Sequence, residues 1–311
     1  METLTEPTAE PQPTSATTTA PTTPTGFPTL TIPPTATQHT HTVIFLHGRG
    51  DNTRSFTRAL HNWHSSHGTT LFHEFPTVRW VFPQAPLRPV ASTADQFRPH
   101  VCPQWFDVWT PRDFALREEV QLEGLRESVP LLRALIKREA EEEGLGGRWD
   151  RVVLAGISMG AAVGAHTLFN LEVPAGGGGR LAAFMGFCAR CPFAGRDLAG
   201  MREVLAVGGG PVGGENAVLR ATPVLLEHSQ GDPLVLVERG RGLRDTLRGF
   251  GAQVEWREYE GGAHWFHEPE GLDDVIVFLK KVVLGDGEVE GGAGGSDLAE
   301  VRAESGAMDL S

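Results

Sequence analysis

Apolar residues in this chain fall into short runs separated by longer amphipathic stretches. Residues 42–46 (Thr-Val-Ile-Phe-Leu) and 152–155 (Val-Val-Leu-Ala) are unbroken runs, the mark of strands buried on both faces. Residues 78–82, 181–187, 223–227 and 254–259 read as further strands, and 27–32 as an edge strand kept short by Pro28, Pro33 and Pro34. Between them the pattern predicts helices over 55–67, 161–170, 198–207, 234–249 and 272–283. Residues 117–143 form the strongest helical stretch, with Val120, Leu125, Val129, Leu132 and Ile136 at helical spacing and Pro130 expected to kink or split it. Strands alternating with helices predict an α/β domain over 27–284, a mostly parallel sheet covered by helices on both faces. Residues 87–113 read as a long ordered loop containing Phe97, Trp105, Phe106 and Trp109, and 190–220 as a Gly-rich insertion.

The ends differ from this body. Residues 1–26 are Thr, Pro, Glu and Ala, and 285–311 are acidic and Gly-rich. Neither has enough large apolar side chains to offset the entropy of ordering, so both are expected to be disordered tails. The tails also account for nine of the twelve net negative charges, which leaves a body near −3. A nucleic-acid partner is therefore not expected. No run is long enough for a membrane span, and no basic residue precedes Arg49 to suggest a signal or transit peptide. Three cysteines and no N-x-S/T site fit a reducing compartment, so the expected location is the cytoplasm, with the nucleus also open.

The chemistry centres on Gly156-Ile157-Ser158-Met159-Gly160, which lies between a predicted strand and a predicted helix. That context is what a nucleophile elbow requires: the glycines let the chain turn sharply and Ser158 stands at the tip. A serine hydroxyl needs a general base, and the base needs a carboxylate to fix its tautomer. Asp232 follows the strand at 223–227 and His264 follows the strand at 254–259. Alone, Asp232 before Pro233 reads as a turn residue and His264 as an ordinary loop histidine. At successive strand ends, in the order Ser158, Asp232, His264, they make the triad of an α/β-hydrolase. The backbone N–H groups of Met159 and of Arg49, in the turn His47-Gly48-Arg49-Gly50, are the expected oxyanion donors.

Taken together these residues resemble a family. Residues 43–51 with His47-Gly48-x-Gly50-Asp51, Phe82-Pro83-Gln84-Ala85-Pro86, Trp105-Phe106-Asp107, the elbow, Gly231-Asp232-Pro233-Leu234-Val235 and Tyr259-Glu260-Gly261-Gly262-x-His264 look like the acyl-protein thioesterase/lysophospholipase (phospholipase/carboxylesterase) family. The resemblance runs through essentially all of 27–284. It implies a cofactor-free serine hydrolase whose substrates are acylated proteins, lysophospholipids or small carboxylic esters. Two positions depart from the pattern: Arg49 stands where the family has an apolar residue, and Met159 where it often has glutamine. Trp105, Phe106 and Trp109 are expected to wall the acyl groove, with Trp265 and Phe266 beside the base. A short-chain carboxylesterase is the alternative activity. A complete triad weighs against a non-catalytic binding module.

Other signals carry less. Cys188-Ala189-Arg190-Cys191 lacks the second pair of a zinc site and the helix start of a redox dithiol, and reads as structural thiols. His61, His64 and His67 read as a solvated helix face, so no metal site is expected.

Overall fold

Strands with two buried faces dominate the structure because the apolar runs leave no polar side to expose. The computed structural model describes residues 26–93 and 100–285. Nearly all of both predicted tails, and Phe97, lie outside the described residues. In chain order the elements are β1 (Thr29–Ile32), β2 (His41–Leu46), α1 (Thr53–His61), α2 (Leu71–Glu74), β3 (Val78–Pro83), β4 (Leu87–Pro89), β5 (Val101–Pro103) and α3 (Gln121–Glu141). They continue with β6 (Val152–Ile157), α4 (Met159–Phe169), β7 (Ala183–Phe187), α5 (Leu198–Leu205), α6 (Ala217–Ala221), β8 (Val224–Ser229), α7 (Val237–Gly249), β9 (Val254–Tyr259) and α8 (Glu270–Leu284).

Seven strands form one sheet in the order β1-β3-β2-β6-β7-β8-β9, with β1 antiparallel to β3 and every other pairing parallel. This is the fold expected of an α/β-hydrolase. The period-2 alternation of each strand divides its side chains between two cores. Ile44, Leu46, Val152 and Leu154 face one core with α3 and α4 residues, while Val43, Phe45, Val153 and Ala155 face the other with Phe56, Leu272 and Val275. Each fully buried aliphatic or aromatic side chain contributes roughly 1.5–3 kcal/mol of transfer free energy. α4 is buried along all eleven residues, which explains its Gly- and Ala-rich sequence.

Three details narrow or depart from the sequence expectation. α3 runs through Pro130 as one helix, so the proline does not split it, and of the two expected outcomes only a kink is compatible with the structure. α1 ends at His61, so His64 and His67 leave the helix, and His61 stacks on Phe72 at 4.1 Å between ring centroids. The loop at 87–113 contains the small antiparallel pair β4–β5.

From β2 the chain moves outward to β3, and then returns to place β6 on the other side of β2. The carboxyl ends of β2 and β6 therefore flank the topological switch point, where an open α/β sheet leaves a crevice.

Candidate active site

Ser158 occupies that crevice. It joins β6 to α4 with φ 55° and ψ −120°, a positive φ that is rare for a residue with a side chain. Two flanking bonds hold it there: its N–H donates to Phe187 O at 2.8 Å, and its carbonyl accepts from Ala162 N–H at 3.0 Å. The two elbow glycines are a packing requirement. A Cβ on Gly156 would lie 2.5 Å from Gly160 C, and one on Gly160 would lie 2.5 Å from Leu46 O. The elbow and the end of β2 are thus pressed backbone to backbone.

The turn after β2 lies against Ser158, with the Cβ direction of Gly48 aimed at Ser158 Cβ, 3.6 Å away. His47 sets this turn. Ala85 N–H donates to its Nε2 at 3.1 Å, so the proton sits on Nδ1, which donates to Gly48 O at 2.7 Å. Burial lowers the pKa of His47, which keeps the ring neutral. Because a trans peptide points its C=O and N–H in opposite directions, anchoring Gly48 O turns the Arg49 N–H away from the imidazole. On the other side, Met159 is the first residue of α4, so its N–H is free of the helix ladder. The Arg49 side chain is tied back, with Nε donating to Gln104 Oε1 at 2.8 Å and Nη2 to Asp107 Oδ1 at 3.4 Å.

Asp232 follows β8 with its side chain fully buried. Oδ1 accepts from Leu234 N–H and Val235 N–H, both at 2.9 Å, and Oδ2 accepts from His264 Nδ1–H at 2.7 Å. His228, within β8, also reaches Oδ2 at 3.3 Å through Nε2. Burial alone would raise the Asp232 pKa, but the bonds from His228, His264 and Val235 outweigh it and hold the carboxyl well below the usual range. The His264 loop is locked onto the Asp232 loop, with Gly231 N–H donating to Gly261 O at 2.6 Å. A Cβ on Gly231 would lie 2.5 Å from Gly262 O, so this contact also requires glycine.

The sulfur of Cys188, the Asp232 carboxylate and the His264 ring offer donor atoms all within 4.8 Å of one another. Asp232 and His264 are already bonded to each other, and Cys188 Sγ donates to Trp265 O at 3.2 Å. Burial, then Asp232, push the Cys188 thiol pKa up.

Two cavities share Ser158. One, of about 190 Å³, is lined by Arg49, Phe106, Met159, Arg190 and Val235 among others. The second, of about 360 Å³, is lined by Gly48, Asp51, His264 and Trp265 among others. A larger concavity of about 450 Å³ lies away from Ser158, against α3. Of the three expected wall residues, Phe106 lines the smaller cavity. Trp105 is 0% exposed, and its indole N–H donates to His47 O at 2.9 Å. Trp109 stacks beneath the Arg117 guanidinium at 4.2 Å. Trp105 and Trp109 are placed as supports of the turn and the loop, outside the lining of either cavity. In the sequence His47 stands out only as part of the oxyanion turn and Arg190 only as part of the 188–191 segment, and His228 does not stand out at all. The polar Glu-His-Ser ending of an apolar strand was the available signal for His228, and a lone arginine in a buried Cys-containing segment the signal for Arg190.

This geometry has known counterparts. The family model described as Phospholipase/Carboxylesterase matches residues 28–194, from β1 past the elbow to the segment after β7. The chain belongs to this family. Acyl-protein thioesterase 1 of Gibberella zeae is 31% identical over 251 residues, covering 80% of this chain and 93% of the relative. Acyl-protein thioesterase 1 of Neurospora crassa is 26% identical, covering 80% and 91%. Among solved structures, acyl-protein thioesterase 2 of Zea mays superposes with a TM-score of 0.59 at 24% identity, covering 83% of this chain and 99% of that one, and supports the fold. As a phospholipase/carboxylesterase family member the chain is a serine hydrolase of carboxylic esters or thioesters.

Proposed function

We propose that Ser158, His264 and Asp232 are the catalytic triad and that the N–H groups of Arg49 and Met159 bind the oxyanion. The observation that carries this reading is the 2.7 Å bond from His264 Nδ1–H to buried Asp232, in a loop that walls the same cavity as Ser158 at the strained elbow. With Nδ1 protonated, His264 Nε2 is the basic nitrogen. It takes the Ser158 proton as Oγ attacks the acyl carbon, and returns it to the departing sulfur or oxygen. Water then attacks the acyl-enzyme, gives its proton to His264, and the acid leaves as Ser158 recovers its hydrogen. The developing negative oxygen is met by two prepositioned N–H donors, the arrangement that contributes most in acyl transfer.

The substrates are esters or thioesters of acylated proteins, lysophospholipids or small molecules, in keeping with the thioesterase relatives. The smaller cavity favours the short-acyl alternative. Its volume of about 190 Å³ falls below the roughly 300–1,000 Å³ of sites that enclose drug-sized ligands. Among the described residues no helix is long and apolar enough to cross a membrane. Three free cysteines support the cytoplasm as its setting. The test is active-site labelling: a fluorophosphonate should label the protein on Ser158, and Ser158→Ala should remove both labelling and ester hydrolysis. Wild-type labelling of the alanine variant would sink the assignment.

A further inference from the structure

The smaller cavity at Ser158 contains two arginines in different electrical states. Arg49 is paired with the Asp107 carboxylate. Arg190 is 6% exposed, and among the described residues its side chain makes one hydrogen bond, from Nη2 to the neutral Gln121 Oε1 at 2.7 Å. Among the described residues no carboxylate lies within ion-pair distance of it. Glu118 acts on it from further away and spends Oε1 on the Phe193 N–H at 2.7 Å. The guanidinium plane rests over Phe114 at 4.2 Å and Phe106 at 5.7 Å. Burial lowers the Arg190 pKa to about 10, so it remains a cation at neutral pH.

A buried guanidinium facing one amide oxygen and two rings is under-compensated. Ring faces attract a cation but do not replace the hydrogen bonds that its N–H groups lose on leaving water. Such a group is complementary to a ligand carboxylate, which can accept two N–H bonds from the planar fork.

The two cavities assign the parts of the substrate. The leaving group must stand beside His264, which protonates it, and so belongs in the cavity lined by His264 and Trp265. The acyl group then extends into the other cavity, past Met159 toward Arg190. Resting on the reading of Ser158 as nucleophile, we propose that Arg190 binds a carboxylate at the far end of the acyl group. The favoured substrates are then half-esters and half-thioesters of short dicarboxylic acids. The pocket is apolar along its sides, with Val108, Phe114 and Ala162, and cationic at Arg190, which suits a short methylene chain ending in an anion.

The experiment compares monoethyl succinate with ethyl butanoate, which match in acyl length and differ in the terminal carboxylate. The full-length wild type, Ser158→Ala, Arg190→Met and Arg190→Lys are assayed with enzyme-free rates subtracted. The wild type should prefer monoethyl succinate at least tenfold in kcat/KM. Arg190→Met should abolish that preference, mainly by raising KM for monoethyl succinate. Arg190→Lys should keep part of it. Ser158-dependent turnover with equal rates on both esters, or with a preference unmoved by Arg190→Met, overturns the Arg190 assignment and leaves the hydrolase reading standing. If Arg190→Met does not fold, the wild-type ratio and the lysine variant decide. Turnover of neither ester, or turnover that survives Ser158→Ala, would count against the Ser158 reading and this inference with it.

Discussion

His228 Nε2 lies 3.3 Å from Asp232 Oδ2, the same oxygen that accepts from His264 Nδ1. The tautomer of His228 follows from its other contact. Val235 O, 2.7 Å from Nε2, can only accept, so Nε2 carries the proton and shares it between the carbonyl and the carboxylate. Among the described residues its Nδ1 has no partner, in agreement with that tautomer. Asp232 is therefore steadied from the strand behind it as well as from the base in front.

Replacing His228 with leucine should lower kcat about tenfold with little change in KM, part of the cost of removing a hydrogen bond to a charged group. Steady-state kinetics alongside a thermal melt separates this from misfolding. A variant with wild-type kcat would show that His228 has no part in holding the carboxylate.

The oxyanion turn depends on His47 and Trp105. His47→Phe removes the bonds to Gly48 O and Ala85 N–H. Trp105→Phe removes the bond to His47 O. Both should lower kcat by about tenfold or more, below the roughly 10²–10³ of deleting an oxyanion donor outright. Their KM for a small ester should stay near wild type. A loss confined to KM would instead place Trp105 at the substrate.

Gly160→Ala brings a methyl group to 2.5 Å from Leu46 O, where only backbone can yield. The expected cost is about 3 kcal/mol or more, on the order of a 10 °C fall in melting temperature. Scanning calorimetry on the purified variant checks this.

Acid should destabilise the fold through His41 and His166. Burial is the main cause holding both folded pKa values at about 4, against 6.5 for the free side chain. Both prefer to be neutral in the native state, so the unfolded chain binds more protons between those values. Stability is then full above about pH 6.5 and is lost as pH falls toward 4, by roughly 3 kcal/mol for each histidine. Urea midpoints at pH 7.5, 6.0 and 5.0 should fall in that order, and flat midpoints would exclude the effect.

The thiols should differ in reactivity. Cys188 and Cys191 are buried, and burial pushes the Cys191 pKa up to about 12 and raises that of Cys188 as well. Little thiolate forms on either at neutral pH. Cys102 is half-buried on β5. Iodoacetamide should add one group to the native protein and three to the denatured one by intact mass.

Much of this architecture was legible in the sequence because burial on both faces leaves a plain record. The run at 254–259 is β9 residue for residue, and Ser158, Asp232 and His264 follow β6, β8 and β9 in that order. The elbow glycines could be read because their requirement is local. The supports could not, since they join residues far apart in the chain. Trp105 lies 58 positions from His47, and no periodicity reveals where an indole N–H points. An aromatic residue in a proline-rich loop suits a substrate wall and a buried prop equally well. Arg190 was hidden for a different reason: its proposed role rests on there being no acid paired with it among the described residues, and a missing partner leaves no motif.

The division of space at Ser158 has a consequence for product distribution. On the proposed mechanism the acyl group stays in the smaller cavity while the side lined by His264 empties and refills. Whichever small hydroxyl compound enters there is, on that mechanism, activated by the same imidazole that activates water. Added methanol should therefore divert part of each turnover from free acid to methyl ester, in proportion to its concentration. Solvent composition would then govern whether the protein hydrolyses an acyl group or transfers it.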